Sequence, residues 1–336
     1  MKIALDATYS VGDALSGVGL YSREILFGLA ASHPETRFDF CYRPHRFLRA
    51  GKLPANARRR LLAGPQAADV FHGLNQRLPR MFRGRAVATF HDLFVMTGEY
   101  STPEFRARFE AQARQAAQRA DAIIAVSEFT RGQVIELLQV DPSRVQVIHH
   151  GVRALMAGEA GVRENVVLNV GAVQTRKNIV RLVDAFESLD PGWRLVLAGA
   201  FGYGAEAIRS RIERSSANDR ISVLGYIGVE ELAGWYARAS IFAFPSLDEG
   251  FGMPLLEAMA AGIAIVTSTS SALPEVAGDA ALLVDPYDTE ALSQALKRLA
   301  DDSELRLDLV RKGQARVREF SWDKAVRETW AVYQKL

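Results

Sequence analysis

Short apolar runs alternating with segments of helical period impose the strongest constraint on this chain. In the first 150 residues they fall at 2–7, 38–42, 70–72, 86–90, 122–126 and 145–149. A second series follows at 166–170, 195–198, 221–224, 241–244, 264–267 and 281–284. Runs this short and this largely apolar suit strands buried on both faces of a sheet. Strands alternating with helices build a doubly wound parallel sheet. The helix expected after the first strand carries Val18, Tyr21, Ile25 and Leu29 on one face. Residues 152–163, rich in Gly and Ala and without clear period, read as a linker. The expected organisation is an α/β fold of two such domains, 1–155 and 164–320, with a terminal helical segment at 321–336. The stripe Trp322, Val326, Trp330 and Tyr333 reads as packing surface on that last segment.

A length of 336 residues supports two domains, and 49% hydrophobic with 24% charged residues matches a soluble globular enzyme. Cys41 is the only cysteine, so no internal disulfide forms and a reducing compartment is expected. Charge appears too early after Met1 for a signal peptide, and no apolar run is long enough to span a bilayer. The expected location is cytoplasmic. Net charge is +2, but residues 1–150 hold 20 Lys and Arg against 14 Asp and Glu, whereas 151–336 hold 21 against 25. Residues 41–90 contain 11 basic residues, among them Arg43, Arg46, Arg49, Lys52, Arg58, Arg59 and Arg60, and one acid, Asp69. Two readings stay open for that stretch: a solvated face, or a docking face for an anionic acceptor or membrane surface. Few aromatics interleave with the arginines, which disfavours nucleic acid.

Parallel sheets bind ligands beyond the carboxyl ends of their strands. The residues there are Gly17, Gly19, His91 and Ser127 in the first series, and Gly171, Gly199, Tyr226 and Ser246 in the second. Two domains with facing strand ends would gather them in one cleft. Gly17-Val18-Gly19 lacks the third glycine of a dinucleotide fingerprint, so NAD binding is weakly supported. In the stretch 246–259, Glu249 is followed by Gly250-Phe251-Gly252-Met253-Pro254, with Glu257 expected in the first turn of a helix over 254–261. Glycines let the backbone approach a ligand, and a helix N-terminus attracts phosphate. In Gly171-Ala172-Val173-Gln174-Thr175-Arg176-Lys177-Asn178, two cations precede a helix that Asn178 would cap. Positive charge there opposes the helix dipole, which points to an anionic ligand.

Glu249-Gly250-Phe251-Gly252-Met253-Pro254 followed by Glu257-Ala258 resembles the signature of retaining GT-B glycosyltransferases of family 4. Residues 171–178 resemble that family's phosphate-binding loop, although Ala172 stands where a basic residue often follows the glycine. Arg176 or a residue of the first domain would then supply the second charge. The resemblance covers nearly the whole chain and is strongest to bacterial members that build O-antigen, capsule or exopolysaccharide, often mannosyltransferases. It implies two Rossmann-like domains facing across a cleft, with the last helix crossing back to the first domain. It implies transfer of mannose or another hexose from a nucleotide-diphosphate sugar, with retention, to a saccharide or lipid-linked acceptor. Lys177 would stabilise the leaving diphosphate, Glu257 hold the ribose, and Glu249 with the N–H groups of Gly250 to Met253 hold the sugar. His91 would orient sugar and acceptor, and Tyr226 and Ile227 would lie near the base. Gly17, Gly19, Gly171, Arg176, Gly199, Phe251, Gly252 and Leu256 complete the expected donor site. His149 and His150 would line the interdomain space. No cofactor and no metal are expected. The rival readings are a non-catalytic nucleotide-sugar-binding partner on the same fold and an NAD-dependent oxidoreductase.

Overall fold

The computed structural model describes residues 1–12, 15–63, 66–152 and 162–336. Most of the expected linker, 153–161, lies outside the described residues. The chain divides into two compact units. The first comprises Met1–Gly98, Thr102–Gly151 and Phe320–Leu336; the second comprises Val152–Glu319 with Glu99–Ser101.

The first unit contains β1 (Lys2–Asp6), β2 (Arg37–Tyr42), β3 (Ala57–Leu61), β4 (Gln66–Gly73), β5 (Phe82–Phe90), β6 (Ala122–Ala125) and β7 (Val145–Val147). They form one parallel sheet in the order β3-β2-β1-β4-β5-β6-β7. The second unit contains β8 (Glu164–Val170), β9 (Arg194–Ala198), β10 (Ile221–Gly225), β11 (Ala239–Phe244), β12 (Ala264–Ser268) and β13 (Ala281–Val284). Their order is β10-β9-β8-β11-β12-β13, again all parallel. Strand order reverses direction between β1 and β4 in one sheet and between β8 and β11 in the other. Connections leave to opposite faces at these switch points, which opens a crevice at the carboxyl ends. β12 is buried at every position and β11 at all but one, as strands covered on both faces must be.

The first sheet has seven strands where six were expected. The additional one, β3, reads Ala-Arg-Arg-Arg-Leu, and its arginines hide any apolar alternation. It is an edge strand, paired only with β2, where charged side chains are tolerated and oppose edge-to-edge association. Arg58 and Arg60 share one face and flank the buried Asp39 of β2, with Nε–Oδ distances of 2.5 and 3.5 Å. Lys2 reaches the same carboxylate at 3.3 Å. Arg59, on the opposite face, donates to the Ala50 carbonyl at 2.6 Å and lies over the Phe47 ring. Part of the basic run is therefore strand chemistry.

The helix Trp322–Gln334 belongs to the first unit. Val326, Val332 and Tyr333 enter one core with Ile25, Leu26 and Leu29 of the helix Gly17–Ser32. The two helices meet at Gly28, where an added Cβ would lie 2.5 Å from Val326 Cγ2. His33 stacks on Trp330 with ring centres 3.6 Å apart.

Candidate active site

In the second unit, β8 and β11 deliver two loops side by side at the switch point. Gly171 follows β8 with φ +135°, a backbone region that L side chains rarely adopt. A single 3-10 turn, Thr175–Lys177, comes next, followed by the helix Ile179–Phe186. Asn178 does not cap that helix. It adopts a left-handed conformation, and its side-chain amide donates to the carbonyls of Pro245 at 3.1 Å and Pro286 at 2.6 Å. That amide ties the β8 loop to the start of the β11 loop, and the Leu247 N–H adds a bond to the Arg176 carbonyl at 2.9 Å.

The loops close around one group of charges. Glu249 is buried, with Arg176 Nη1 2.9 Å from Oε2 and Lys177 Nζ hydrogen-bonded to Oε1. The ammonium also lies 4.5 Å from the centre of the Phe244 ring. Burial pushes the Glu249 carboxyl up, but Arg176 and then Lys177 outweigh it and hold the pKa at about 2. The Glu249 N–H donates to Ser271 Oγ at 3.0 Å, which fixes the carboxylate's own backbone. Arg176 also donates to the carbonyl of Asp248, a second buried acid on the same loop.

Gly252, at φ +97°, precedes the helix Met253–Ala260, whose start has no side-chain cap. An added Cβ there would sit 2.8 Å from Leu273, so the turn holding Gly250 and Phe251 requires glycine on two counts. Pro254 stands in the first helical turn, as expected. Glu257 does not. The helix starts at Met253, which places Glu257 in the second turn, so a favourable first-turn charge is not its role. It is buried and accepts a hydrogen bond from the Tyr236 hydroxyl at 2.9 Å. Tyr236, on the preceding helix Val229–Arg238, carries no sequence signal because its partner lies 21 residues away. Gly199 follows β9 and backs directly onto Gly171, where a Cβ would meet the Gly171 carbonyl oxygen at 1.9 Å. Tyr226 and Ile227 follow β10, the sheet edge two strands from β8, and Tyr226 is exposed. Leu256 is completely buried in the helix.

In the first unit, Gly17 and Gly19 open the helix Gly17–Ser32, and Ser16 Oγ caps it by accepting the Gly19 N–H at 3.2 Å. His91 follows β5. Its Nε2–H donates to the Leu74 carbonyl at 2.9 Å, which leaves Nδ1 as the lone-pair nitrogen. Burial lowers its pKa to about 4, so the ring is neutral at pH 7. Tyr21 packs edge-on to this ring at 4.7 Å and His150 stacks on it at 5.3 Å. His150 is buried against His91, Tyr21 and Trp322 of its own unit, while His149 is half-buried beside Phe320. A buried chain continues from Tyr21 Oη to Thr89 Oγ1 at 2.9 Å and from Thr89 to His72 Nε2 at 2.8 Å. It ends with His72 Nδ1 and the Tyr333 hydroxyl of the last helix at 2.5 Å. Its members come from four separate elements, which residue spacing cannot reveal. Among the described residues, no group of three His, Cys, Asp or Glu is placed to hold a metal ion.

Residues 22–154 match the profile of Glycosyltransferase Family 4, and residues 157–316 that of Glycosyl transferases group 1. The whole chain aligns with the whole of an O-antigen chain mannosyltransferase B from Escherichia coli, 30% identical over 383 residues. The chain belongs to glycosyltransferase family 4. A D-inositol 3-phosphate glycosyltransferase from a Nocardioides strain is 29% identical over 80% of this chain and 67% of its own. Among solved structures, a sucrose-phosphate synthase from Thermosynechococcus elongatus superposes with a TM-score of 0.82 at 22% identity, covering 100% of this chain and 98% of its own. Anabaena HepE, in complex with UDP and glucose, superposes with a TM-score of 0.75 at 16% identity, covering 100% and 99%. The two sheets are thus those of a GT-B glycosyltransferase, and no helix described is long and apolar enough to cross a membrane.

Two predictions arise from these charges. Lys177→Ala should cut turnover roughly a hundredfold or more, the scale of losing one preorganised charge at a leaving group. It should also lower the stability of the second unit by roughly 2 kcal/mol, less than the ~3–5 of a fully orphaned buried charge because Arg176 remains. Adding Glu249→Gln to Lys177→Ala should lower stability further, because it leaves Arg176 buried without its carboxylate. Near-normal turnover of Lys177→Ala at saturating donor would contradict the assignment.

The second concerns acid. All six histidines precede residue 151, and burial holds His72 at about 3 and His91 at about 4, against an ordinary 6.5. The unfolded chain takes up these protons near pH 6.5 while the folded unit refuses them. Stability is therefore present above 6.5 and lost as pH falls from there towards 4, about 2 kcal/mol for each histidine by pH 5. Asp6, whose carboxyl burial raises, opposes this as a single group. The second unit has no histidine, and Glu249 loses its advantage only as pH falls from 4.5 towards 2. Hydrogen exchange at pH 5 against pH 7.5 should show β4 and β5 losing protection before β8 and β11; the reverse order would contradict the account.

Proposed function

We propose that this glycosyltransferase transfers a hexose, mannose first among the candidates, from a nucleotide-diphosphate sugar with retention of configuration. The acceptor is a saccharide or lipid-linked saccharide of cell-surface polysaccharide synthesis. The observation that carries the reading is the buried group of Arg176, Lys177 and Glu249 at the switch point of the second sheet. Its two cations and the uncapped helix start at Met253 both favour a diphosphate. The E. coli relative, named as an O-antigen chain mannosyltransferase, supports mannose and the polysaccharide setting, and the HepE complex with UDP and glucose supports the donor class.

In this reading the C1–O bond to the diphosphate breaks as the acceptor oxygen bonds to C1 on the same face. The electron pair of the broken bond goes to the diphosphate, whose oxygen takes the acceptor proton. Lys177 and Arg176 stabilise the developing negative charge, so the chain itself supplies what a divalent cation would otherwise supply. Glu249 accepts from sugar hydroxyls and Glu257 from the ribose. Neutral His91 offers Nδ1 as an acceptor for a hydroxyl of sugar or acceptor.

The test is product analysis with UDP-, GDP- and ADP-hexoses in the presence of EDTA. The reading predicts release of the nucleoside diphosphate and an α-linked product from an α-linked donor. A β-linked product would exclude retention. Loss of activity restored by Mg²⁺ would overturn the metal-independent step. Binding without release would leave only a nucleotide-sugar-binding protein.

A further inference from the structure

The switch point of the first sheet holds a cavity of its own. It has a volume of about 420 Å³ and is lined by Asp6, Arg43, Leu62, Arg77, Arg80 and Met81, among others. Asp6 ends β1, Arg43 follows β2, Leu62 follows β3, and Arg77 and Arg80 follow β4. Three guanidiniums from two loops thus converge beyond the carboxyl ends of neighbouring strands, where parallel sheets take their ligands.

These arginines differ from the rest of the basic stretch. Arg58 and Arg60 are spent on Asp39, Arg59 on the Ala50 carbonyl, Arg46 on the Val11 carbonyl at 3.3 Å, and Arg85 on Asp121 at 2.7 Å. Among the described residues, no hydrogen bond or salt bridge is made by the guanidinium of Arg43, Arg77 or Arg80, although the Arg43 N–H donates to Thr8 Oγ1 and the Arg80 carbonyl accepts from Arg119. Arg77 goes further: its Nε is buried without a hydrogen-bond partner. That nitrogen has no exposed surface and does not open onto the cavity, so Arg77 meets a ligand there through the rest of its guanidinium. The loop that carries Arg77 is held in place. An added Cβ on Gly73 would meet the Arg77 carbonyl at 2.2 Å, and His91 fixes Leu74.

We propose that this cavity binds the phosphate group of a phosphorylated acceptor. Three cations face one carboxylate, and Asp6 is itself engaged at Oδ1 by the Thr8 N–H at 3.0 Å. Burial also raises its pKa, against the pull of Arg43 and Arg77. The remaining charge, at least two positive, matches a phosphate better than a single carboxylate, and guanidiniums bind phosphate through paired N–H donors. Leu62 and the exposed Met81 give the cavity an apolar wall beside the arginines, suited to whatever the phosphate is attached to. Only the word acceptor rests on the transferase reading above; the anion site stands on the geometry of the first unit.

The test follows the arginine Nε–H resonances of the ¹⁵N-labelled full-length chain, with Arg77 assigned by its loss in Arg77→Lys. Inorganic phosphate and geranyl phosphate are titrated separately against chloride at equal ionic strength. Both phosphates should shift the Arg77 resonance to saturation, and chloride should not. Arg43→Gln should raise the midpoint tenfold or more, as should Arg80→Gln, an exposed position that serves if Arg43→Gln does not fold. Arg49→Gln, outside the cavity, should leave it unchanged. Geranyl phosphate binding tenfold tighter would identify an amphiphile as the source; equal midpoints would identify a phosphate on a polar acceptor. An unmoved Arg77 resonance, or one moved equally by chloride, would overturn the site. So would unchanged midpoints in both glutamine variants. Because nothing here requires turnover, a chain that binds phosphate but transfers no sugar would keep the site and lose only the transferase reading.

Discussion

Glu249 held between Arg176 and Lys177 is the interaction on which the second unit's functional end depends. A lone carboxylate buried there would cost several kcal/mol or take up a proton, and either cation alone would face the same penalty. Together they cancel most of that cost and bind two loops whose sequence positions differ by 72 residues. Asn178 and Leu247 then lock the same loops with backbone-directed bonds. The two cations are thereby held where β8 and β11 part. The buried cations are held by these bonds, and in the proposed reaction such preorganised charge is the condition for strong electrostatic stabilisation of the leaving group.

Topology explains why both units concentrate polar chemistry at one place. Each sheet reverses strand order once, and the crevice so formed is where backbone groups lose their sheet partners and side chains of several strands converge. In the second unit the result is a buried cluster of two cations around a carboxylate. In the first it is a neutral, buried histidine beside an arginine-lined cavity, with the Leu74–Arg77 loop belonging to both. The last helix contributes to this end too, since Tyr333 closes the hydrogen-bond chain that begins at Tyr21 beside His91.

Much of this was legible from residue order, and what was not has identifiable causes. Largely apolar runs such as 166–170 and 264–267 announced their strands because both faces are buried. β3 did not, because an edge strand can carry arginines on both faces. Glycines 171 and 252 marked real backbone demands, visible as positive φ. Asn178 looked like a helix cap, but its amide N–H groups donate to two carbonyls of distant loops, and the oxygen that would cap the helix accepts from Arg181 instead. Glu257 was placed one turn early because the helix begins at Met253, before the proline. The pairing of Glu249 with both cations, the Tyr236–Glu257 bond and the His72–Tyr333 bond all join residues far apart in sequence. No periodicity encodes such contacts; only the fold does.

The central claim is that Arg176 and Lys177, charged and preorganised around Glu249, read a diphosphate. Calorimetric affinities for GDP, UDP, GMP and UMP, in wild type and in Lys177→Gln, test it most directly. The account predicts that wild type prefers a diphosphate to its monophosphate by tenfold or more and that Lys177→Gln loses most of that preference. Equal affinity of wild type for diphosphates and monophosphates would contradict it.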